Sequence, residues 1–178
     1  WALKLRYPTT VEAEGPPPHP DSCPPWLIVR YEYPARGDLP PVKLTWYDGG
    51  KRPPIQKQEN LPDWGSAVLF VGEKGMILAD YGRRMLLPEA KFKDFQAPPQ
   101  TIPKSLGHHQ EWILACKTGS PTTCNFDYSG PLAESALLGT VSHRVGEKLQ
   151  WDAAGLKATN CPKADRWIKR AYREGWTL

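Results

Sequence analysis

Long apolar runs are missing from this chain. Runs such as Trp26-Leu27-Ile28-Val29 and Ala67-Val68-Leu69-Phe70-Val71 are far shorter than the roughly 20 residues a helix needs to cross a bilayer, so no membrane span is expected. Motifs for cofactors and covalent catalysis are missing as well. No G-x-G-x-x-G follows a strand, which excludes a dinucleotide-binding turn. Gly49-Gly50-Lys51 ends like a phosphate loop, yet Thr45 stands where such a loop needs its leading glycine. G-x-S-x-G and H-E-x-x-H are also absent. Cysteine is scarce: Cys23, Cys116, Cys124 and Cys161 form no C-x-x-C pair, and a disulfide-stapled fold uses more cysteines in fewer residues.

What remains is an ordinary globular composition. The 178 residues are 40% hydrophobic and 24% charged, enough to build a core and unlike a disordered chain. The net charge of +4 is too small and too scattered to imply nucleic acid. The chain starts at Trp1, and Trp1-Ala2-Leu3-Lys4-Leu5-Arg6 lacks the basic start and apolar core of a leader. A processed protein or a piece of a longer one is expected.

Proline divides the chain. Seventeen of the 20 prolines lie at or before Pro103, and proline removes a ladder donor and breaks helix interiors. Residues 1–103 are therefore expected to be strand-rich and 104–178 mainly helical, within one domain spanning 1–178. Leu27, Val29, Tyr31 and Tyr33 alternate with Arg30 and Glu32, the period of a half-buried strand. Val42, Leu44 and Trp46 alternate with Lys43, Thr45 and Tyr47 in the same way. Gly72-Glu73-Lys74-Gly75 joins residues 67–71 to 76–79 as a hairpin, since glycine permits positive φ. Residues 3–7, 11–14 and 85–87 are weaker strand candidates.

Three helices are expected after the strands. The first is capped by Ser105, carries His109, Trp112, Ile113 and Cys116 on one stripe, and ends near Gly119. That stripe would bury Cys116. The second starts at Gly130-Pro131, presents Ala133, Ala136, Leu137, Val141, Arg144 and Val145, and stops at Gly146. The third opens at Asn160-Cys161-Pro162, buries Ala164, Trp167, Ile168 and Ala171, and ends at Gly175. Strands followed by helices predict an α+β fold: an open, largely antiparallel β-sheet with helices packed on one face.

Several polar and aromatic groups could carry function. His108-His109 sits at a helix start, where backbone N–H groups favour anions and an imidazole can shuttle protons; alternatively His109 packs on Trp112 while His108 faces water. Zinc held by His108, His109, Cys116 and Cys124 has no typical spacing. Trp46-Tyr47-Asp48, with Trp26 and Trp64 nearby in sequence, could stack on a sugar, or the rings could fill a core or an interface. Lys163, Arg166, Lys169, Arg170 and Arg173 form a basic stripe, suited to phosphate or simply to a solvated helix end.

Taken in order, several stretches resemble the C-terminal part of the Gfo/Idh/MocA oxidoreductases, in particular a long bacterial branch. They are Pro40 through Gly50 (PPVKLTWYDGG), Val71 through Gly75 (VGEKG), Gly107 through Ile113 (GHHQEWI), Asn125 through Leu132 (NFDYSGPL), Arg144 through Asp152 (RVGEKLQWD) and Tyr172 through Leu178 (YREGWTL). The resemblance implies a two-domain parent. Its N-terminal Rossmann domain would bind NAD or NADP, and this α+β domain would close the substrate pocket and pair subunits through its open sheet. Family members move a hydride between nicotinamide and a sugar or cyclitol carbon. The family's E-K-P lysine and D-x-x-x-H pair are missing here, because Glu73-Lys74-Gly75 lacks the proline and sits in a turn. The chain is thus expected to hold no cofactor and no catalytic residue, and to be inactive alone. His108, His109, Trp46, Tyr47 and Asp48 are the substrate-side candidates, as hydrogen-bonding groups and walls. A carbohydrate-binding module and a purely structural dimerisation module are the rival readings. Compartment stays open between cytoplasm and export.

Overall fold

Alternation and turn chemistry decide the first half of the fold. The computed structural model describes residues 1–176, and the closing Thr177 and Leu178 of the last family-like stretch lie outside the described residues. The architecture is α+β, with one five-stranded and one three-stranded antiparallel sheet. The chain divides into two compact units, one formed by Trp1–Arg52 with Leu114–Leu178 and the other by Pro53–Ile113.

In the first unit, β1 (Thr10–Glu14), β2 (Ile28–Tyr33), β3 (Val42–Tyr47), β7 (Leu149–Asp152) and β8 (Lys157–Ala158) stand in the order β3-β2-β1-β7-β8. The predicted faces of β2 are the observed ones: Val29, Tyr31 and Tyr33 are buried. Arg30 and Glu32 face the other side, where Arg30 bonds Glu14 at 2.8 Å and the Thr10 hydroxyl donates to Glu32 at 2.8 Å. One face is therefore apolar and the other is a ladder of partnered charges. Residues 3–7 form no strand. The strand at Leu149–Asp152 was not expected, although Leu149 and Trp151 are buried and alternate with exposed Gln150.

Helix α3 (Phe126–Val145) covers the apolar face. It begins before Gly130-Pro131, because the Asn125 side chain accepts the Tyr128 N–H at 3.1 Å as an N-cap. Pro131 then lies inside the helix, and lacking an N–H it leaves the Asp127 carbonyl open. Arg6 fills that gap by donating to the Asp127 carbonyl at 2.8 Å, and the Ser135 hydroxyl returns a bond to the Arg6 carbonyl at 3.0 Å. Gly146, in the left-handed conformation at φ 68°, ends the helix as expected.

The buried side of α3 agrees with the expected one at Val141 and Val145 and differs elsewhere. Pro131, Ser135, Leu138, Gly139, Val141 and Ser142 face the sheet, while Ala133, Ala136 and Leu137 are exposed. Small residues let the helix sit close: a Cβ at Gly139 would lie 2.9 Å from the Tyr31 hydroxyl and 3.0 Å from Val29. Ser142 has a second task. β7 pairs with β1 only at Thr10 and Val11, so the Ala13 N–H lies beyond its reach. That N–H donates to the Ser142 hydroxyl at 3.0 Å, which itself donates to the Glu147 carbonyl at 2.8 Å. Buried backbone groups need such partners. Trp151 is likewise satisfied, its indole N–H donating to Glu134 at 2.6 Å.

The third expected helix is replaced by a 3-10 turn at Pro162–Ala164 and a single turn, α4 (Asp165–Ile168), after which Lys169 is extended. Ala164 and Cys161 are buried in the core as anchors, and Ile168 packs on it, but Trp167 and Ala171 are exposed. The basic stripe is therefore not one helix face.

The second unit contains α1 (Pro54–Gln58) and the meander β4 (Val68–Gly72), β5 (Gly75–Ala79), β6 (Arg84–Leu87). Its hairpin turn is where the glycines place it, with Gly72 paired to Gly75 and Gly75 at φ 144°. Only Leu78 and Leu87 among its apolar side chains are buried. Helix α2 (His108–Thr118) starts just after Gly107 and ends at Gly119, φ 72°; residues up to Ile113 belong to the second unit and those from Leu114 to the first. Ser105 does not cap it directly: its hydroxyl accepts the Gly107 N–H at 3.0 Å. No residue of α2 is buried, and Cys116 is exposed, contrary to the expected stripe.

Candidate functional site

Trp46, Tyr47 and Asp48 close β3 and lead into the turn with Gly49-Gly50. The period of a strand sends neighbours to opposite faces, so Trp46 lies on the apolar side, opposite Val29, and Tyr47 on the charged side, opposite Ile28. Trp46 remains 59% exposed there. The Asp48 N–H donates to the Leu27 carbonyl at 2.9 Å, and the Asp48 carboxylate accepts the Gly49 N–H at 2.7 Å. Gly49 is required twice over: its φ is +61°, and a Cβ there would overlap the Pro25 carbonyl oxygen and Trp26. The turn is thus clamped against Pro25-Trp26, with the Lys51 ammonium 4.1 Å above the Trp26 ring.

His108 and His109 open α2, their ring centroids 4.3 Å apart and tilted by 54°. Both are exposed and belong to the second unit, whereas Trp46, Tyr47 and Asp48 belong to the first. Trp26, Trp46 and Trp64 do not form one platform within a unit. Trp64 is in the second unit, with Arg83 stacked 4.4 Å from its ring centre. No group of three or more His, Cys, Asp or Glu side chains converges as a metal site among the described residues.

Sequence reasoning missed a groove at the far end of β1. It holds about 500 Å³ and is lined by Glu12, Glu14, Arg30, His143 and the Gly15–Pro18 segment. Arg30 is paired to Glu14, which holds its guanidinium above its ordinary pKa. His143 is only 6% exposed, and its Nε2 donates to the Pro16 carbonyl at 2.7 Å, which fixes the proton on that nitrogen. The signal was present in Pro16-Pro17-Pro18-His19-Pro20, a stiff segment that needs an anchor, and in His143-Arg144 just before the capping glycine. Chemically the groove offers two carboxylates and a guanidinium, groups that hydrogen-bond hydroxyls.

Apolar surface is the other feature of the molecule. Trp112 is 67% and Phe126 92% exposed, and Ile113, Leu114, Leu132 and Leu137 are exposed with them. Compared with known proteins, the chain matches no family model and no curated protein.

Proposed function

We propose that this chain is the substrate-side and subunit-pairing part of a nicotinamide-dependent oxidoreductase of the Gfo/Idh/MocA type, acting on a sugar or cyclitol-like hydroxyl compound. The observation that carries this reading is helix α2, eleven residues long with no buried side chain. A helix that exposes Trp112, Ile113 and Leu114 is shaped for a partner surface. A nucleotide-binding domain of the parent, or a second subunit, would cover it. The antiparallel sheet with one open, charged face supports the same reading, and pairing across that face would be polar because Glu12, Glu14, Arg30 and Lys43 line it.

In this reading Trp46, Tyr47 and Asp48 of the first unit offer walls and hydrogen bonds, and His108 and His109 of the second unit offer hydrogen bonds by themselves, while cofactor and proton-transfer groups reside on the parent's other domain. Asp48 and the histidines offer hydroxyl-binding groups, and the exposed Trp46 ring offers a stacking face for a sugar. The test is NAD(P)-dependent oxidation of a sugar and cyclitol panel by the native polypeptide that carries this sequence. His108→Ala and Trp46→Ala should raise KM for the substrate that is turned over. Absence of turnover across the panel, or unchanged kinetics in both variants, contradicts the assignment.

A further inference from the structure

At the end of α3, two arginines share one tryptophan. The Arg144 guanidinium carbon lies 4.7 Å and that of Arg166 5.0 Å from the centre of the Trp167 ring. Among the described residues neither has a carboxylate within ion-pair distance. The nearby acids are otherwise placed: Glu147 is taken by Lys163 at 2.6 Å, and neither Asp21 nor Asp165 reaches a guanidinium. Lys163 lies close enough to Arg166 for the two charges to oppose each other. Two cations gathered on one ring without a counter-charge repel one another, and a bound anion would relieve this.

Arg144 and Trp167 line a small groove of about 220 Å³ with Pro18, His19 and Pro20, and Arg166 reaches the same Trp167 ring from beside it. Arg144 is oriented there by one nitrogen, Nη1, which lies 3.4 Å from the carbonyls of His19 and Pro20. Its other donors are left for a ligand. The His19 Nδ1 accepts the Asp21 N–H at 3.1 Å, so the ring's proton sits on Nε2, a third donor. Trp167, 41% exposed, lies against both guanidiniums, and a guanidinium stacked on a ring keeps its edge donors for an oxyanion.

We infer that this groove is a binding site for a dianionic phosphoryl group, held by Arg144 and Arg166 with His19 as the third donor. A phosphomonoester suits it better than a carboxylate. Two guanidinium forks match the charge and the tetrahedral oxygens of a phosphate, and the volume admits one phosphoryl group with a few attached atoms. The occupant is therefore a small phosphorylated molecule. The inference stands apart from the oxidoreductase reading, since it uses none of the residues assigned there.

The test is calorimetric titration of the intact chain with methyl phosphate, and with acetate as the monoanionic comparison. Saturable one-to-one binding of methyl phosphate is expected, weakened by added salt. Arg166→Gln should weaken it about tenfold, the size expected for losing one charge-assisted contact. Arg144→Gln should act in the same direction, and Lys43→Gln, on the outer sheet face, should leave binding unchanged. Arg166 is exposed, so its variant keeps the test valid even if Arg144→Gln disturbs the proline segment. Absence of saturable binding, acetate binding as tightly as methyl phosphate, or unchanged affinity in Arg166→Gln would overturn the assignment.

Discussion

The two units spend their apolar residues differently. The first gathers Val11, Val29, Tyr31, Tyr33, Leu138, Val141, Leu149 and Trp151 into one core between a five-stranded sheet and α3. The second has a three-stranded sheet that is apolar on both faces, with Val68, Phe70 and Ile77 on one and Leu69, Leu78 and Leu87 on the other, yet buries only Leu78 and Leu87. A three-stranded meander is near the lower limit for independent stability. The difference teaches where stability and interaction lie. The first unit is a scaffold built on one core, and the second holds apolar surface in reserve, as does α2.

The sharpest way to test that contrast is to truncate a core leucine in each unit. Leu149 has no exposed surface, so Leu149→Ala should cost about 2–5 kcal/mol, seen as lost hydrogen-exchange protection through β1, β2 and α3. Leu78→Ala should cost less, because its surroundings are open enough to relax, and the loss should appear in β4–β6. Equal losses would remove the contrast. A smaller effect is expected from Ser142→Ala, which strands the Ala13 N–H and should cost about 1–2 kcal/mol in the first unit, read from chemical denaturation.

The smallest effect is a pH dependence that separates the units. Burial pushes the Tyr31 phenol up to about 12 from its ordinary 10.0, and burial raises Tyr33 too. The fold favours the neutral phenols, so their contribution is complete below pH 10.0 and is lost as pH rises toward the folded values. In the second unit the shifted group is Asp80, whose carboxyl is held down by the Arg83 guanidinium and the Gly82 N–H. Its contribution is present above its ordinary 3.8 and is lost as pH falls. Raising the pH above 10.0 should therefore loosen β2 before β5, as exchange measured across pH would reveal; loosening of β5 first would contradict this.

Much of the fold was legible because strand periodicity is local. The faces of β2, the hairpin at Gly72–Gly75 and the Gly146 stop each follow from a few neighbouring residues. The errors came from long-range partners. Pro131 reads as a helix start unless Arg6, distant in sequence, is known to take the Asp127 carbonyl. The buried face of α3 escaped a count of apolar residues because Ser135, Gly139 and Ser142 face the sheet, where closeness and hydrogen bonds matter more than hydropathy. The third helix failed after Ile168, since Ala171 has no core to meet. As for the site, alternation alone separates Trp46 from Tyr47. The grooves beside His143 and Arg144 each join residues 16–20 to the end of α3, segments more than a hundred residues apart, which no local pattern reveals.

The proposed function makes this chain one part of a nicotinamide-dependent enzyme. It is tested most directly by titrating NADH and NADPH, followed by their fluorescence, into the 178-residue chain and into the native polypeptide captured from its source. The account predicts no saturable binding to the chain alone and saturable binding of at least one nucleotide to the native polypeptide. Binding to the isolated chain, or none to the native polypeptide, would contradict it.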